Sequence, residues 1–386
     1  MRIVAREVLS GQVTAVNFDH DNARSEPTDS IPHEHLCISP GWVDVQVNGF
    51  AGYDLNSAQL IPEHVAGLVH RLATEGIAAV FPTVITASSE HITACLRTIA
   101  TACEIYPEVR AAVPGIHLEG PYLSPRDGTR GVHPVQHIHA PNWDEFCRWQ
   151  EAAGGRIRLT TLAPEQPGSA PFIERLVRSG VTVAIGHSEA NTTDLASAVD
   201  AGARLSTHLG NGIALTIRRH PNPIWDQLAD DRLYASLIGD GFHLPPNTMR
   251  VFLRAKGVER CLLTSDAVAL ARQAPGVYDS PVGGRVELHP SGRLTQYGSE
   301  HLAGSASSLK DGVENAVRLA GCTLAQAIAM ATVTPRRVSP TPLLDSTTIF
   351  QWAPDQHKAT ILATLVAGRV VYRAAELQTF LREAGP

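Results

Sequence analysis

From Gly41 to Ala267 the chain alternates short apolar runs, rich in β-branched residues, with longer stretches of helical composition. Strand-like runs fall at Val43–Val47, Ala78–Phe81, Val113–Leu118, Ile157–Leu162, Thr182–Ile185, Leu205–Thr207, Ala235–Ile238 and Cys261–Leu263. Helical runs lie between them, among them Pro62–Glu75, Glu90–Ile105, Phe172–Ser179, Thr192–Ala201 and Asn247–Lys256. Most start or stop near Pro, Gly, Ser or Asn. Eight strands joined by crossovers predict an α/β fold, a (β/α)8 barrel of about 250 residues plus insertions. An open doubly wound sheet is the competing arrangement. To bind a dinucleotide it would need a glycine-rich phosphate loop after its first strand, and Gly49-Phe-Ala-Gly52 is not one.

Both ends of the chain read differently. Arg2–Ala5, Gly11–Val16 and Leu36–Ser39 are short β-like runs, with a polar stretch from Asp19 to His35 before Pro40-Gly41. Ala359–Val366 and Val370–Arg373 are two more, around a turn at Gly368. The termini are therefore expected to pair into one small flanking β-sandwich. That divides the chain into 1–39 and 336–386 as the two parts of the sandwich and 40–335 as the barrel.

Composition narrows the class without naming a task. Of the 386 residues, 44% are hydrophobic and 18% charged, enough for a sizeable core. The net charge is −6 with no basic run, which argues against nucleic acid and anionic membrane as partners. Cys37, Cys95, Cys103, Cys147, Cys261 and Cys322 form no C-x-x-C pair and read as reduced thiols of a cytoplasmic protein. No window suggests a membrane span, and the first residues do not read as a signal peptide.

Candidate chemistry gathers at the carboxyl ends of the expected strands, where parallel α/β folds build their sites. Asp44, Gln46 and Asn48 belong to the first strand, and His117 and Glu119 to the third. His187 and His208 end the fifth and sixth, Asp240 and His243 follow the seventh, and Asp266 follows the eighth. With 17 histidines in the chain a lone loop histidine carries little weight. His187 and His208, at matching places in one β-α-β unit, carry more. A carboxylate and two imidazoles make a catalytic zinc set with an open position for water, and Glu119, His187 and His208 meet that count. Asp266 is placed to move the proton of that water, which gives metal-assisted hydrolysis of an amide or ester. Asp44 admits a plainer role, holding a neighbour in place.

Seven motifs appear in one order: Pro40-Gly-Trp-Val-Asp-Val-Gln-Val-Asn-Gly49, His117-Leu-Glu-Gly-Pro-Tyr122, Gly186-His-Ser188, Thr207-His-Leu-Gly-Asn211, Asp240-Gly-Phe-His243, Thr264-Ser-Asp-Ala267 and Leu302-Ala-Gly-Ser305. Together they resemble the N-acetylglucosamine-6-phosphate deacetylase family of the amidohydrolase superfamily, over roughly residues 36–335. The resemblance implies a homodimer of barrels. It also implies one divalent metal per subunit on Glu119, His187 and His208, with Zn²⁺ first and Fe²⁺, Mn²⁺ or Co²⁺ as alternatives, and Asp266 as general acid and base. Gln46 and Asn48 stand where two-metal relatives carry His-x-His. As amides they are poor ligands beside imidazole, which agrees with a single ion. Substrate contacts are implied for Gln46, Asn48, Val132, His133, Asn211, Gly212, His243, Leu302, Ala303 and Gly304. The implied substrate is an N-acetylamino-sugar 6-phosphate. Two departures stand out. The family usually reads Asn-Ala-Met where this chain has Asn211-Gly-Ile213, and Thr216-Ile-Arg-Arg-His-Pro-Asn-Pro223 matches poorly where the family's phosphate-binding arginine lies. Arg219 is the positional match, beside Arg218 and His220, and the loop Ser124–Arg130 is a little long. Two alternatives stay open: an amidohydrolase for another acylated sugar or amide without phosphate, and a non-catalytic barrel scaffold.

Overall fold

A computed structural model of the chain describes residues 1–339 and 341–381; position 340 and residues 382–386, part of the expected C-terminal unit, lie outside the described residues. The eight barrel strands are Trp42–Val47, Ile77–Ile85, Ile116–Glu119, Ile157–Leu162, Thr182–Ile185, Leu205–Ser206, Tyr234–Ile238 and Cys261–Thr264. They neighbour one another in chain order and every pairing is parallel. First and eighth strands meet at their carboxyl edge, where Val47, the last residue of the first, bridges Ala267, three residues past the eighth. Asp266 N donates to the Gln46 carbonyl (3.0 Å) and Asn48 N to the Ala267 carbonyl (2.8 Å). The ring therefore closes at the edge that carries Asp266. The third strand starts later than the expected Val113, because Pro107–Ala112 is helical and Val113 is its C-cap.

Local chemistry explains where the helices stop. Asn191 caps Thr192–Asp200 by accepting from the N–H groups of Thr193 and Asp194, while the Asp194 carboxylate accepts from the Asn191 N–H. Gly202, at φ 108°, ends the unit in a conformation that a side chain would resist. Ser169–Arg178 buries Phe172, Ile173 and Leu176 against the barrel and leaves its charges outside.

Both termini build a second sheet. Arg2–Glu7, Val13–Asp19, Asn22–Pro27, Leu36–Pro40, Ser346–Ala353, Lys358–Val366 and Arg369–Arg373 close on themselves as a seven-stranded barrel around Ile3, Val16, Ile38, Ile349 and Leu362. Asn22–Pro27 sits inside the polar stretch and was not distinguishable by hydropathy, because only Ala23 of its side chains is buried. Buried Thr348 and Thr364 donate to the Gly76 and Ala73 carbonyls, each at 2.7 Å, and stitch this sheet to the helix end before the second barrel strand. A further element was not foreseen. After the eighth strand, Gly276–Ser280, Gly284–Leu288 and Leu294–Gln296 form a three-stranded antiparallel sheet that packs Val282, Val286 and Leu294 on Val268 and Ile85. No helix among the described residues is long and apolar enough to cross a membrane.

Candidate active site

His187, His208 and Asp266 leave their strands in the same way. Each lies two residues beyond the last residue of its strand, with φ of 48°, 30° and 49° respectively. Non-glycine residues adopt such angles at a cost of about 1–3 kcal/mol, and they gather where surrounding structure needs the side chain in one place. Here the left-handed kink ends each extended run and delivers all three side chains to one cavity of about 890 Å³. Glu119, the last residue of the third strand, joins them.

Glu119 is the hub of this cluster. Its Oε1 lies 3.1 Å from His208 Nε2 and 3.4 Å from His187 Nε2, and it accepts from Gln46 Nε2 at 2.8 Å. The His187 Nδ1 faces the Thr129 carbonyl at 2.9 Å. A carbonyl only accepts, so Nδ1 carries a hydrogen and Nε2 is the ring atom turned toward the carboxylate. Two ring nitrogens gathered on one buried carboxylate oxygen need positive charge there, supplied by ring protons or by a cation. Burial alone would raise Glu119, but hydrogen bonds and charge from His187 and His208 outweigh it and hold the carboxyl well below its usual range. Burial would likewise lower His208, and Glu119 instead raises it. A divalent ion meets the same demand with three protein ligands, and the donor set fits one.

His133 stands beside this group. One ligand atom from each of Glu119, His133 and His187 lies within 4.8 Å of the others. The His133 and His187 ring centroids are 4.4 Å apart, and His133 Nδ1 is 2.9 Å from Thr86 Oγ1. Burial pushes His133 down to about 3, with the His187 charge adding to it, so the ring is neutral. His187 and His208 both approach one Glu119 oxygen, at 3.4 and 3.1 Å, and His133 belongs to the same buried group through Glu119 and His187.

Asp266 stands half-buried beside them. Asn48 Nδ2 donates to its Oδ1 at 2.7 Å. Burial first, and the Glu119 charge second, push its carboxyl up to about 6, against the pull of His208, His243 and Asn48. Asp44 does not reach the cavity. It accepts from Thr264 Oγ1 (2.7 Å) and the Ser265 N–H (3.1 Å), tying the first strand to the two residues before Asp266. This is the plainer role that the sequence left open for it.

Of the other expected contacts, Asn48, Val132, His133, Asn211, Gly212, His243, Leu302 and Gly304 line the cavity. His243 is oriented by Asp240, whose Oδ2 lies 2.6 Å from His243 Nδ1. Three do not line it. Gln46 is spent on Glu119, and Ala303 is wholly buried behind its neighbours. Arg219 is exposed, with its carbonyl accepting from Asn222 Nδ2. Among the described residues, Arg130 is the one guanidinium on the cavity wall; its Nη1 donates to the His133 carbonyl at 3.1 Å. Sequence reasoning missed Arg130 and Thr129. Thr129 acts through its carbonyl, which every residue has, so no side-chain pattern could reveal it.

Gly212 explains one departure. A Cβ built there would sit 2.8 Å from His187 Nδ1 and 3.0 Å from Cε1, at φ +61°. Gly131 abuts the same ring, its built Cβ lying 3.3 Å from Cε1. The imidazole thus stands in a slot whose walls are bare backbone, and the alanine usual in the family would displace it. Gly212→Ala should weaken metal binding by about tenfold or more, the scale of losing an orienting contact, in a titration with Zn²⁺. An affinity equal to that of wild type would show that the slot does not hold the ring.

No family model matches the chain. It is similar to N-acetylgalactosamine-6-phosphate deacetylase of Escherichia coli O157:H7, 34% identical over 79% of this chain and 78% of that protein. N-acetylglucosamine-6-phosphate deacetylase of Lysinibacillus sphaericus is 31% identical over 80% and 77%. Among solved structures, a mutant N-acetyl-D-glucosamine-6-phosphate deacetylase from Mycobacterium smegmatis, in complex with N-acetyl-D-glucosamine-6-phosphate, superposes with a TM-score of 0.83 at 26% identity, over 96% of this chain and 99% of that one. Identities above 30% across more than two thirds of both chains, on a barrel that gathers a buried Glu-His-His cluster and an aspartate, place this protein in the N-acetylglucosamine-6-phosphate deacetylase family of the amidohydrolase superfamily.

Proposed function

We propose that the chain hydrolyses the acetamide of an N-acetylhexosamine 6-phosphate to acetate and the free amine. The observation that carries this reading is Asp266, half-buried on the wall of one cavity with the buried Glu119, His187 and His208. The relatives' shared deacetylase names support it. Glu119, His187 and His208 would hold one divalent ion, Zn²⁺ first for this donor set. When bound, such an ion lowers the pKa of water toward ~7 and polarises a carbonyl. Asp266 takes the proton of the attacking water and returns it to the departing nitrogen. His133, neutral and fixed by Thr86, donates to the oxyanion that develops on the acetyl oxygen. Gln46 keeps Glu119 in place and Asn48 keeps Asp266 in place.

A homodimer is part of the proposal. Leu215, at 80% exposure, lines the cavity, and Arg218, Arg219 and His220, which follow it in the chain, are exposed; this suits a segment covered by a second copy that shares its arginine. Six free cysteines and a charged substrate suit the cytoplasm. Arg219→Ala should lower kcat/KM about tenfold or more on the 6-phosphate, since a charge-assisted contact contributes about 1.5–3 kcal/mol. On the unphosphorylated N-acetyl sugar it should change nothing. Equal losses on both substrates would make Arg219 structural, and a wild type that prefers the unphosphorylated sugar would remove the phosphate from the proposal.

A second reading concerns the epimer. The galactosamine enzyme of E. coli is 34% identical to this chain, against 31% for the glucosamine enzyme of L. sphaericus. Parallel kcat/KM values for the two N-acetylhexosamine 6-phosphates decide which is the substrate.

A further inference from the structure

The loop Ser124–Arg130 does more than lengthen a connection. It has no helix or strand of its own, yet it supplies the Thr129 carbonyl that fixes His187 Nδ1 and the Arg130 guanidinium that holds the His133 carbonyl. The His187 ring and the His133 backbone are thus both held by an irregular segment, and an irregular segment needs an anchor.

Glu189 provides it. Its Oε1 accepts from the Thr129 hydroxyl at 3.3 Å, and its Oε2 pairs with Arg126 Nε at 2.8 Å. Thr129 is fully buried, whereas the Arg126 side chain is 74% exposed. Glu189 is itself held from behind, because its N–H and the Ser188 hydroxyl both donate at 2.7 Å to the Glu165 carboxylate. The chain from Glu165 through Glu189 to Thr129 ends on the ring of His187.

We propose that Glu189 is a positioning residue for the metal site. It clamps the loop so that the Thr129 carbonyl sets the tautomer and plane of His187. This rests on the reading that His187 binds the ion. Partners that orient a ligating histidine typically account for about 10–100-fold in metal affinity. Glutamine keeps an acceptor for the Thr129 hydroxyl and gives up only the pairing with exposed Arg126, and exposed ion pairs contribute little. The contribution therefore lies in the Thr129 hydrogen bond.

The test is Zn²⁺ affinity of the full chain, by competition with a chromogenic chelator, with kcat measured on the same samples. Glu189→Ala should bind Zn²⁺ about tenfold or more weakly, and Glu189→Gln should stay within about threefold of wild type. Thr129→Val removes the hydroxyl and keeps the carbonyl. It should match Glu189→Ala, and the double variant should be no weaker than either single one, as for two ends of one interaction. Glu189→Ala binding within about twofold of wild type, Glu189→Gln as weak as Glu189→Ala, or additive losses in the double variant would each overturn the clamp. If Glu189→Ala does not fold, the Thr129→Val and Glu189→Gln pair decides alone. A wild type that takes up no Zn²⁺, or His187→Ala binding it like wild type, would remove the metal reading itself; failure of the clamp alone leaves both of those controls intact.

Discussion

Asp266→Asn should keep its fold and its metal and lose about 10²–10⁴-fold in kcat, the range for a positioned acid and base. Asparagine has nearly the shape of aspartate, and its amide oxygen can still accept from Asn48 Nδ2, which now lies 2.7 Å from Asp266 Oδ1. The left-handed backbone at Asp266 also tolerates asparagine better than most residues. What disappears is the ability to take and return a proton. Burial and the neighbouring Glu119 charge push the Asp266 carboxyl up to about 6, and a divalent ion beside it would pull it down again. Wild type and variant should therefore carry the same metal content by elemental analysis and differ in turnover. Turnover within a few-fold of wild type would reduce Asp266 to a structural residue.

Removing the ligands should have the other large effect. Wild type should carry one divalent ion per chain, and the His187→Ala/His208→Ala double variant none after dialysis. Activity should fall with the metal. Loss of both imidazoles leaves the Glu119 carboxylate buried with only Gln46 to satisfy it. Stripping a buried charge of its partners costs about 3–5 kcal/mol, so the double variant should also melt at lower temperature. Glu119→Gln added to the pair should restore part of the lost stability, because the unpaired charge goes with it, and none of the activity. Two tightly held ions in wild type, or an ion retained by the double variant, would contradict this ligand set. Retention of the ion by His133→Ala is expected as well; its loss would move His133 from beside the metal to its coordination sphere.

These effects trace back to features of unequal visibility in the sequence. The barrel was legible because each strand is a short apolar run and the crossovers between strands are amphipathic, so periodicity alone separates them. The Asn191 cap and the Gly202 stop were legible because capping is decided within a few residues. The three-stranded insertion at Gly276–Gln296 was not, since its edge positions are polar and its apolar side chains are too few to stand out. Strand Asn22–Pro27 was hidden for the same reason.

The site divides along the same line. Side chains whose chemistry is unusual in a strand, Glu119, His187, His208 and Asp266, declared themselves from the sequence, because nothing in packing calls for them at strand ends. What those side chains do to one another was decided only by the folded ring. Gln46 donates to Glu119, and Arg219 lies outside the cavity of its own chain. The slot for His187 is made of absent atoms at Gly131 and Gly212, and its tautomer comes from the backbone carbonyl of Thr129. Residue identity is local and can be read in order. Backbone carbonyls, missing Cβ atoms and contacts such as Glu189 to Thr129, which join loops from different strands, exist only once closure of the barrel brings distant loops to one rim.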